Sequence, residues 1–270
     1  MKIGILYIAL GNYSVMWPEF YESAKKHFFI NEKTHFYVFT DDKTITNNQD
    51  IDVLETRNMG WPGNTLYRFK LFTSISDRLK QYDYLFFFNA NAMFVSDVGE
   101  DILPKNGEKL ISVQHFVYKN KHPAYIQYDR NKKSTAYVPW KHEPKEYCQA
   151  CLLGGEGKAF LEMCEILSNN IDIDDKNGVC ALWHDESHFN HYIMDHEVRV
   201  LPQEYAFPEF KLTDGYLPLI LMRDKERYAN TNVLRNGKKR SFFGKVAFKF
   251  SNFKVKFKCF IHRLFWRFYK

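Results

Sequence analysis

The polar segment Trp183-His184-Asp185-Glu186-Ser187 combines residue types that suit carbohydrate chemistry. Trp183 offers an aromatic surface for the face of a sugar, and Glu186 offers a carboxylate that can stabilise positive charge. The segment also begins a predicted helix over 186–194, and a helix dipole stabilises a carboxylate at that position whatever its function. The residues by themselves therefore leave helix capping and catalysis equally open.

The segment Asn89-Ala90-Asn91 directly follows an apolar run over 84–88 that predicts a buried strand. In open α/β sheets, ligands bind beyond the carboxyl ends of the strands. Two carboxylates spaced in this way would hold a divalent metal against a diphosphate, whereas two amides are uncharged and are poor ligands for such a cation. The alternative interpretation is a simple turn, which Asn favours.

Other familiar chemistries find no support in the sequence. There is no glycine-rich dinucleotide motif after a strand, no phosphate-binding P-loop and no nucleophile elbow. Cys148 and Cys151 form a single C-x-x-C without a second pair, so no zinc site is predicted, and the five cysteines are expected to be reduced thiols. Two acidic segments, 50–52 and 172–175, are interpreted as solvated charge, the second in a polar loop.

The elements that must position these residues alternate between strands and helices. Strands are predicted over 2–9, 35–39, 51–54, 84–88, 110–113, 198–201 and 217–222. Helices are predicted over 14–29, 65–79, 157–167 and 186–194, with Ser14 and Thr65 as caps. Gly154-Gly155 is either a turn before a helix or a place where backbone approaches a ligand closely. This alternation predicts an α/β fold with a mixed, mostly parallel sheet flanked by helices.

The composition separates a folded body from a cationic end. The 270 residues are 45% hydrophobic and 17% aromatic, which excludes global disorder. No run of 18 apolar residues predicts a membrane-spanning helix, and no signal peptide is recognised. Eleven of the 38 Lys and Arg residues lie in 238–270, which contains no Asp or Glu, so the remaining chain is mildly acidic, with 27 basic and 32 acidic residues.

Taken together, these residues resemble glycosyltransferase family 6, the retaining α-1,3-galactosyl- and N-acetylgalactosaminyltransferases that include the blood-group A and B enzymes and bacterial relatives. The resemblance runs over about residues 2–235. Its most specific part is the W-H-D-E-S motif at 183–187, supported by similar segments at 37–41, 136–139 and 154–155. It implies a GT-A fold over 1–236, with a nucleotide-binding half over about 1–98 and an acceptor half over about 99–236.

In the bacterial branch of this family, the metal-binding D-x-D motif becomes N-x-N. The segment Asn89-Ala90-Asn91 matches that branch, which works without a divalent metal, so neither a metal nor another cofactor is expected. The lack of a recognisable N-terminal membrane anchor also fits a bacterial member. The expected location is the bacterial cytoplasm, in peripheral association with the inner face of the cytoplasmic membrane.

The resemblance also implies roles for individual residues. Glu186 is similar to the catalytic carboxylate, and the expected acceptor contacts are His115, Trp183 and Glu186. His115 stands in Ser-Val-Gln-His-Phe, where the family often has H-P-G-F. The expected donor-binding residues include a uracil-stacking Tyr13, a sugar-contacting Arg68 and a C-terminal cationic pair over the diphosphate; the full set is Ile8, Ala9, Tyr13, Arg68, Asn89, Asn91, Gln149, Ala150, Cys151, Asp185, Lys225 and Arg235.

The function that the resemblance implies is transfer of galactose from UDP-galactose, in α-1,3 linkage, to a fucosylated galactose in an oligosaccharide or lipid-linked surface glycan. Cys151 stands where members that use GalNAc often have Gly, which favours galactose, but UDP-GalNAc remains an alternative donor. A second alternative is a non-catalytic sugar-nucleotide-binding protein tethered to a membrane or to nucleic acid.

Residues 237–270 are predicted to form a basic, aromatic, amphipathic helical tail. Apolar residues recur at helical spacing over 243–250 and 257–268, and Lys and Arg fill much of the remaining surface. A helix with one aromatic and one cationic face lies in a bilayer interface. The expected partner is an anionic membrane surface, and a nucleic-acid-binding arm is the less favoured alternative.

Overall fold

The computed structural model describes residues 1–140, 143, 146–213, 215–236, 257, 260–261 and 263–265. Most of the predicted tail over 237–270 therefore lies outside the described residues, and its amphipathic helices stay a prediction. Within the described part of the chain, none of the helices has the length and apolar character needed to cross a membrane.

Strands and helices alternate along most of the chain. The strands are β1 (Lys2–Ala9), β2 (Lys33–Thr40), β3 (Ile51–Glu55), β4 (Tyr84–Phe88), β5 (Ala92–Phe94), β6 (Leu110–Gln114), β7 (Cys148–Glu156), β8 (Val198–Leu201), β9 (Phe207–Pro208) and β10 (Ile220–Met222). The helices are α1 (Trp17–His27), α2 (Gly60–Leu66), α3 (Arg68–Thr73), α4 (Ser76–Leu79), α5 (Gly157–Lys176), α6 (Asp185–Tyr192) and α7 (Thr231–Asn236).

The main sheet has seven strands in the order β3-β2-β1-β4-β7-β6-β8. The β3-β2, β2-β1, β1-β4 and β6-β8 pairs are parallel, whereas β7 is antiparallel to both β4 and β6. A second sheet, β5-β10-β9, has three strands. The predicted mixed, mostly parallel α/β sheet is confirmed, and its arrangement fits a GT-A-like fold.

The two faces of the main sheet are both covered, which explains the continuous apolar runs of its central strands. On one face, Ile5 of β1 and Phe86 of β4 belong to a core that contains Phe20 of α1. On the other face, Phe87 of β4 belongs to a second core that contains Phe160 of α5. Successive residues of β4 therefore serve opposite cores, as the period-two geometry of a strand requires.

Strand β7 was not predicted, and the glycine pair that obscured it has a structural role inside the strand. A Cβ on Gly154 would lie 2.4 Å from a ring carbon of Phe86. Gly155 has a φ of +146°, and a Cβ there would lie 2.2 Å from the carbonyl oxygen of Lys109. The close approach at this pair is to Phe86 and Lys109 of neighbouring segments and not to a ligand, and the pair lies inside a strand, so both predicted alternatives are wrong.

The predicted helix boundaries also need correction. Helix α1 begins at Trp17 because a 3-10 turn occupies Gly11–Met16. The single helix predicted over 65–79 is three short helices, α2 to α4, starting at Gly60. Helix α5 extends to Lys176, so the acidic segment 172–175 is helical, and Asp174 is buried rather than solvated.

Candidate active site

A cavity of about 260 Å³ opens at the edge of the main sheet where β1 and β4 end. Because β7 runs antiparallel, its first residues lie at this same edge, and the start of α6 completes the wall. The predicted residues that line this cavity are Ile8, Tyr13, Arg68, Asn89, Gln149, Ala150, Cys151, Trp183, Asp185, Glu186, Lys225 and Arg235. Segments separated by more than 200 positions in sequence therefore meet around one space.

Three predicted site residues do not line the cavity. Ala9 is fully buried. Asn91 is also buried, and its side-chain amide donates to the backbone oxygen of Arg223 at 2.8 Å. His115 lies one layer behind the cavity, with its ring 5.6 Å from the ring of Tyr147.

The N-x-N segment forms a tight turn between β4 and β5, in which Ala92 N–H donates to the Asn89 oxygen at 2.9 Å. Asn89 lines the cavity, but the Asn91 amide is directed into the protein. The described residues contain no group of three or more His, Cys, Asp and Glu able to hold a metal ion. The N-x-N segment therefore offers the cavity a single neutral amide side chain, that of Asn89, which is a poor ligand for a divalent cation.

The Glu186 carboxylate accepts hydrogen bonds from strand β7 and from Tyr147, the residue that precedes this strand. Tyr147 Oη donates to Glu186 Oε1 at 3.0 Å, and Ala150 N–H donates to Oε2 at 3.1 Å. Glu186 lies in the first turn of α6, yet its hydrogen bonds run across to β7. Burial, and then the neighbouring charge of Asp185, raise the pKa of Glu186 to about 7.

Asp185 and Arg68 form a buried charge contact below the cavity, with Arg68 Nε 3.0 Å from Asp185 Oδ2. The Arg68 donors are directed elsewhere: Nε donates to Thr65 O at 3.2 Å and Nη1 to Ala150 O at 2.6 Å. Asp185 Oδ2 consequently has no hydrogen-bond donor among the described residues. Burial raises the pKa of Asp185 to about 6, against the opposing charge of Arg68.

Two further cations form a rim of the cavity. The ammonium of Lys225 lies 5.4 Å from the centre of the Tyr13 ring, and the guanidinium of Arg235 lies 4.0 Å from that of Trp61. Neither cation has a salt bridge to a carboxylate within the described ranges. Burial, and then the charge of Arg235, lower the pKa of Lys225 to about 8. A bound anion would relieve this repulsion, so the rim is suited to a phosphate or diphosphate.

Several cavity residues were not predicted. They are Leu10, Trp61, Asn64, Thr65, Phe87, Ala90 and His184, with Tyr147 behind Glu186. Trp61 could have been found from the sequence, because an aromatic residue in a Pro-Gly-Asn loop after a strand is a candidate ligand contact. Tyr147 could not, because it ends a segment whose sequence indicates only a polar loop.

Comparison with known proteins places this chain in a protein family. Residues 1–236 match the model of glycosyltransferase family 6. The chain is 33% identical over 229 residues to the O-antigen biosynthesis glycosyltransferase WbnI of Escherichia coli, covering 84% of this chain and 96% of that protein. It is 29% identical over 217 residues to histo-blood group ABO system transferase 1 of Rattus norvegicus, and 27% identical over 221 residues to globoside alpha-1,3-N-acetylgalactosaminyltransferase 1 of Gallus gallus. These alignments cover 77% and 78% of this chain but less than two thirds of the animal proteins, 61% and 63%.

Proposed function

This chain belongs to glycosyltransferase family 6, and from that premise we propose that it transfers galactose from UDP-galactose to a galactose residue of a surface glycan. The new bond is α-1,3, and the anomeric configuration of the donor is retained. The family membership itself implies a sugar-nucleotide donor and a glycan acceptor. The choice of sugar, acceptor and linkage goes beyond what family membership implies and is part of the proposal.

The observation that carries the proposal is the presence of both signs of charge around one cavity. Glu186, Lys225 and Arg235 all line this cavity. In glycosyl transfer the sugar develops positive charge at its anomeric carbon, which a nearby carboxylate stabilises. The departing diphosphate gains negative charge, which fixed cations stabilise. The cavity supplies both signs of charge where this reaction needs them.

We further propose that transfer proceeds without a divalent metal. Of the two Asn residues in the N-x-N segment, Asn89 lines the cavity and Asn91 does not, so Lys225 and Arg235 are proposed to act on the diphosphate in place of a metal. Tyr13, whose ring lies beside Lys225, stacks on the uracil. Arg68 and Asp185 contact the donor sugar, with Asp185 Oδ2 accepting from one of its hydroxyls.

The choice between galactose and GalNAc rests on the β7 wall formed by Gln149, Ala150 and Cys151. Cys151 is buried, and its thiol narrows the space where a smaller residue would admit an N-acetyl group. We therefore favour galactose. UDP-GalNAc is the second candidate, because globoside relatives from chicken and human carry N-acetylgalactosaminyltransferase in their names. One added group in a pocket changes discrimination by only about 1–3 kcal/mol.

The acceptor is proposed to be a fucosylated galactose in a bacterial surface glycan. The name of the Escherichia coli relative, an O-antigen biosynthesis glycosyltransferase, supports a surface polysaccharide. Trp183 lies at the cavity mouth with 41% of its surface exposed and offers an aromatic platform for the acceptor sugar. Such a glycan is built at the inner face of the cytoplasmic membrane, where we propose that this protein acts.

The deciding experiment measures UDP release from UDP-galactose and from UDP-GalNAc, with and without a fucosylated galactose acceptor, in excess EDTA. We expect acceptor-dependent release that is faster with UDP-galactose, and a product whose anomeric proton has the small coupling of an α linkage. Loss of activity in EDTA that Mn²⁺ restores would refute the metal-free proposal. UDP binding without turnover on an acceptor array would favour the non-catalytic alternative.

A further inference from the structure

We propose that Tyr147 is a positioning residue whose hydroxyl fixes the Glu186 carboxylate in place and stabilises its charged form. The inference rests on the proposed function, in which Glu186 acts as a carboxylate beside the reacting sugar. Tyr147 does not line the donor cavity itself, so it acts through Glu186.

The hydrogen bonds of Glu186 divide between its two oxygens. Tyr147 Oη donates to Oε1 at 3.0 Å, and the Ala150 N–H donates to Oε2 at 3.1 Å. A single donor would leave the carboxylate free to rotate, whereas one donor on each oxygen sets both its position and its plane. The Ala150 donor is part of strand β7, which leaves Tyr147 as the side-chain donor.

The ring of Tyr147 is itself fixed by its surroundings. It is 2% exposed, and its described aromatic neighbours include Tyr118 at 4.9 Å, Tyr128 at 5.2 Å and His115 at 5.6 Å between ring centres. Burial, and then the charge of Glu186, raise the pKa of Tyr147 well above its ordinary value. The phenol therefore stays protonated, so it remains a donor to Glu186 at every working pH. His115, predicted to contact the acceptor, packs against this ring as well.

The surroundings of Glu186 contain few other groups that favour its charged form. Among the described residues, the titratable and charged groups that share the cavity with Glu186 or interact with it are Asp185, His184, Tyr147, Cys148, Cys151, Arg68, Tyr13, Lys225 and Arg235. Asp185 raises the pKa of Glu186, whereas Arg68 lowers it less than the Tyr147 and Ala150 hydrogen bonds do. Burial raises the pKa of both thiols, so they stay neutral. Loss of the Tyr147 donor should consequently favour protonated Glu186.

The test is the pH dependence of kcat for Tyr147→Phe with UDP-galactose and acceptor. We expect the acidic limb to move to higher pH by about one unit, the size expected for a hydrogen bond to a charged group. Activity should fall about tenfold on the acidic limb and less at higher pH, with KM for the donor little changed. The matched control is Tyr37→Phe, which removes another phenolic hydrogen bond, 3.1 Å from Tyr82 Oη, away from the cavity. Its profile should superimpose on that of the wild type.

A uniform loss of activity with an unmoved acidic limb would overturn the proposal, since it would indicate a structural role only. A second measurement compares the loss of kcat that Tyr147→Phe causes in the wild type with the loss that it causes in the Glu186→Gln variant. We expect little further loss in the Glu186→Gln variant. An equal loss in both backgrounds also overturns the proposal. If Tyr147→Phe does not fold, fluorotyrosine at position 147 keeps the shape and strengthens the donor, and the acidic limb should move to lower pH. Failure of the proposed function shows separately, as a wild-type protein that does not turn over the donor.

Discussion

At the scale of the residue, the cavity contains an acidic and a basic side chain whose pKa values are shifted in opposite directions. Burial raises the pKa of Glu186 to about 7 and lowers that of Lys225 to about 8. Each charged form is therefore less stable here than in water, and each is stabilised by an opposite charge on a bound substrate. Such disturbed groups concentrate at functional sites.

Replacement of Glu186 tests whether its charge serves the reaction. Glu186→Gln keeps the shape of the side chain and removes the charge. We expect kcat to fall at least about a hundredfold, the scale of a lost electrostatic stabiliser, while UDP affinity measured by calorimetry barely changes. Glu165→Gln, an exposed substitution on α5, is the matched control and should be neutral. A fully active Glu186→Gln enzyme would leave helix stabilisation as the role of Glu186.

The pH dependence of kcat/KM tests both groups in the free enzyme. Glu186 must be ionised, so the rate should fall as the pH drops below about 7. Lys225 must be protonated to attract the diphosphate, so the rate should fall as the pH rises above about 8. The expected profile is a narrow bell. In Lys225→Arg the alkaline limb should disappear, because arginine stays charged; an alkaline limb that survives this change would contradict the assignment.

At the scale of the element, the sequence predicts central strands better than the strand that completes the site. The runs at β1 and β4 are apolar throughout, since both sheet faces are covered, and their patterns are unambiguous. Strand β7 contains Gly154 and Gly155, which normally signal a turn, and the close packing that requires them involves Phe86 and Lys109 from distant segments.

The same limit applies to the candidate site. Glu186, Arg68 and Lys225, for which the family resemblance implied roles, line one cavity, and their roles stay predictions. In a continuous strand Asn89 and Asn91 would point the same way. The chain turns there instead, and the Asn91 amide donates to the backbone oxygen of Arg223, 132 positions away. Tyr147 was missed for the same reason, because its partner Glu186 is 39 positions away. Long-range partners of this kind leave no local pattern.

Substitution of the glycine in β7 tests its structural role. A Cβ on Gly155 would meet the Lys109 oxygen at 2.2 Å, and its φ of +146° strains any other residue. We expect Gly155→Ala to lower the free energy of unfolding in urea by about 3 kcal/mol or more, combining backbone strain with a clash. Gly178→Ala is the control, because Gly178 has a φ of +64° but nothing within 4 Å of a Cβ. It should cost about 1–2 kcal/mol; equal losses would show that the close approach to Lys109 is unimportant.

At the scale of the whole molecule, charge and chemistry lie in different parts of the chain. The residues that line the cavity end at Arg235, and the family match ends at residue 236. The cationic excess lies beyond them, in 238–270, where eleven Lys and Arg occur without any Asp or Glu. Such a division suits an enzyme whose folded part performs transfer while its end selects the surface on which transfer occurs.

The last prediction concerns that end. Apolar residues at helical spacing over 243–250 and 257–268 alternate with cations, a pattern that favours an anionic bilayer interface. Each Lys or Arg near such a surface contributes about 1 kcal/mol, so we expect the protein to sediment with anionic liposomes but not with neutral ones. A chain ending at Arg240 should lose this association and keep its activity on a soluble acceptor, because it retains all of the described residues that line the cavity. Replacing the Lys residues at 245–258 with Gln in the full chain separates charge from length and should also abolish sedimentation. Equal binding to neutral liposomes, or a shortened chain that still sediments, would show that the tail is not an electrostatic anchor.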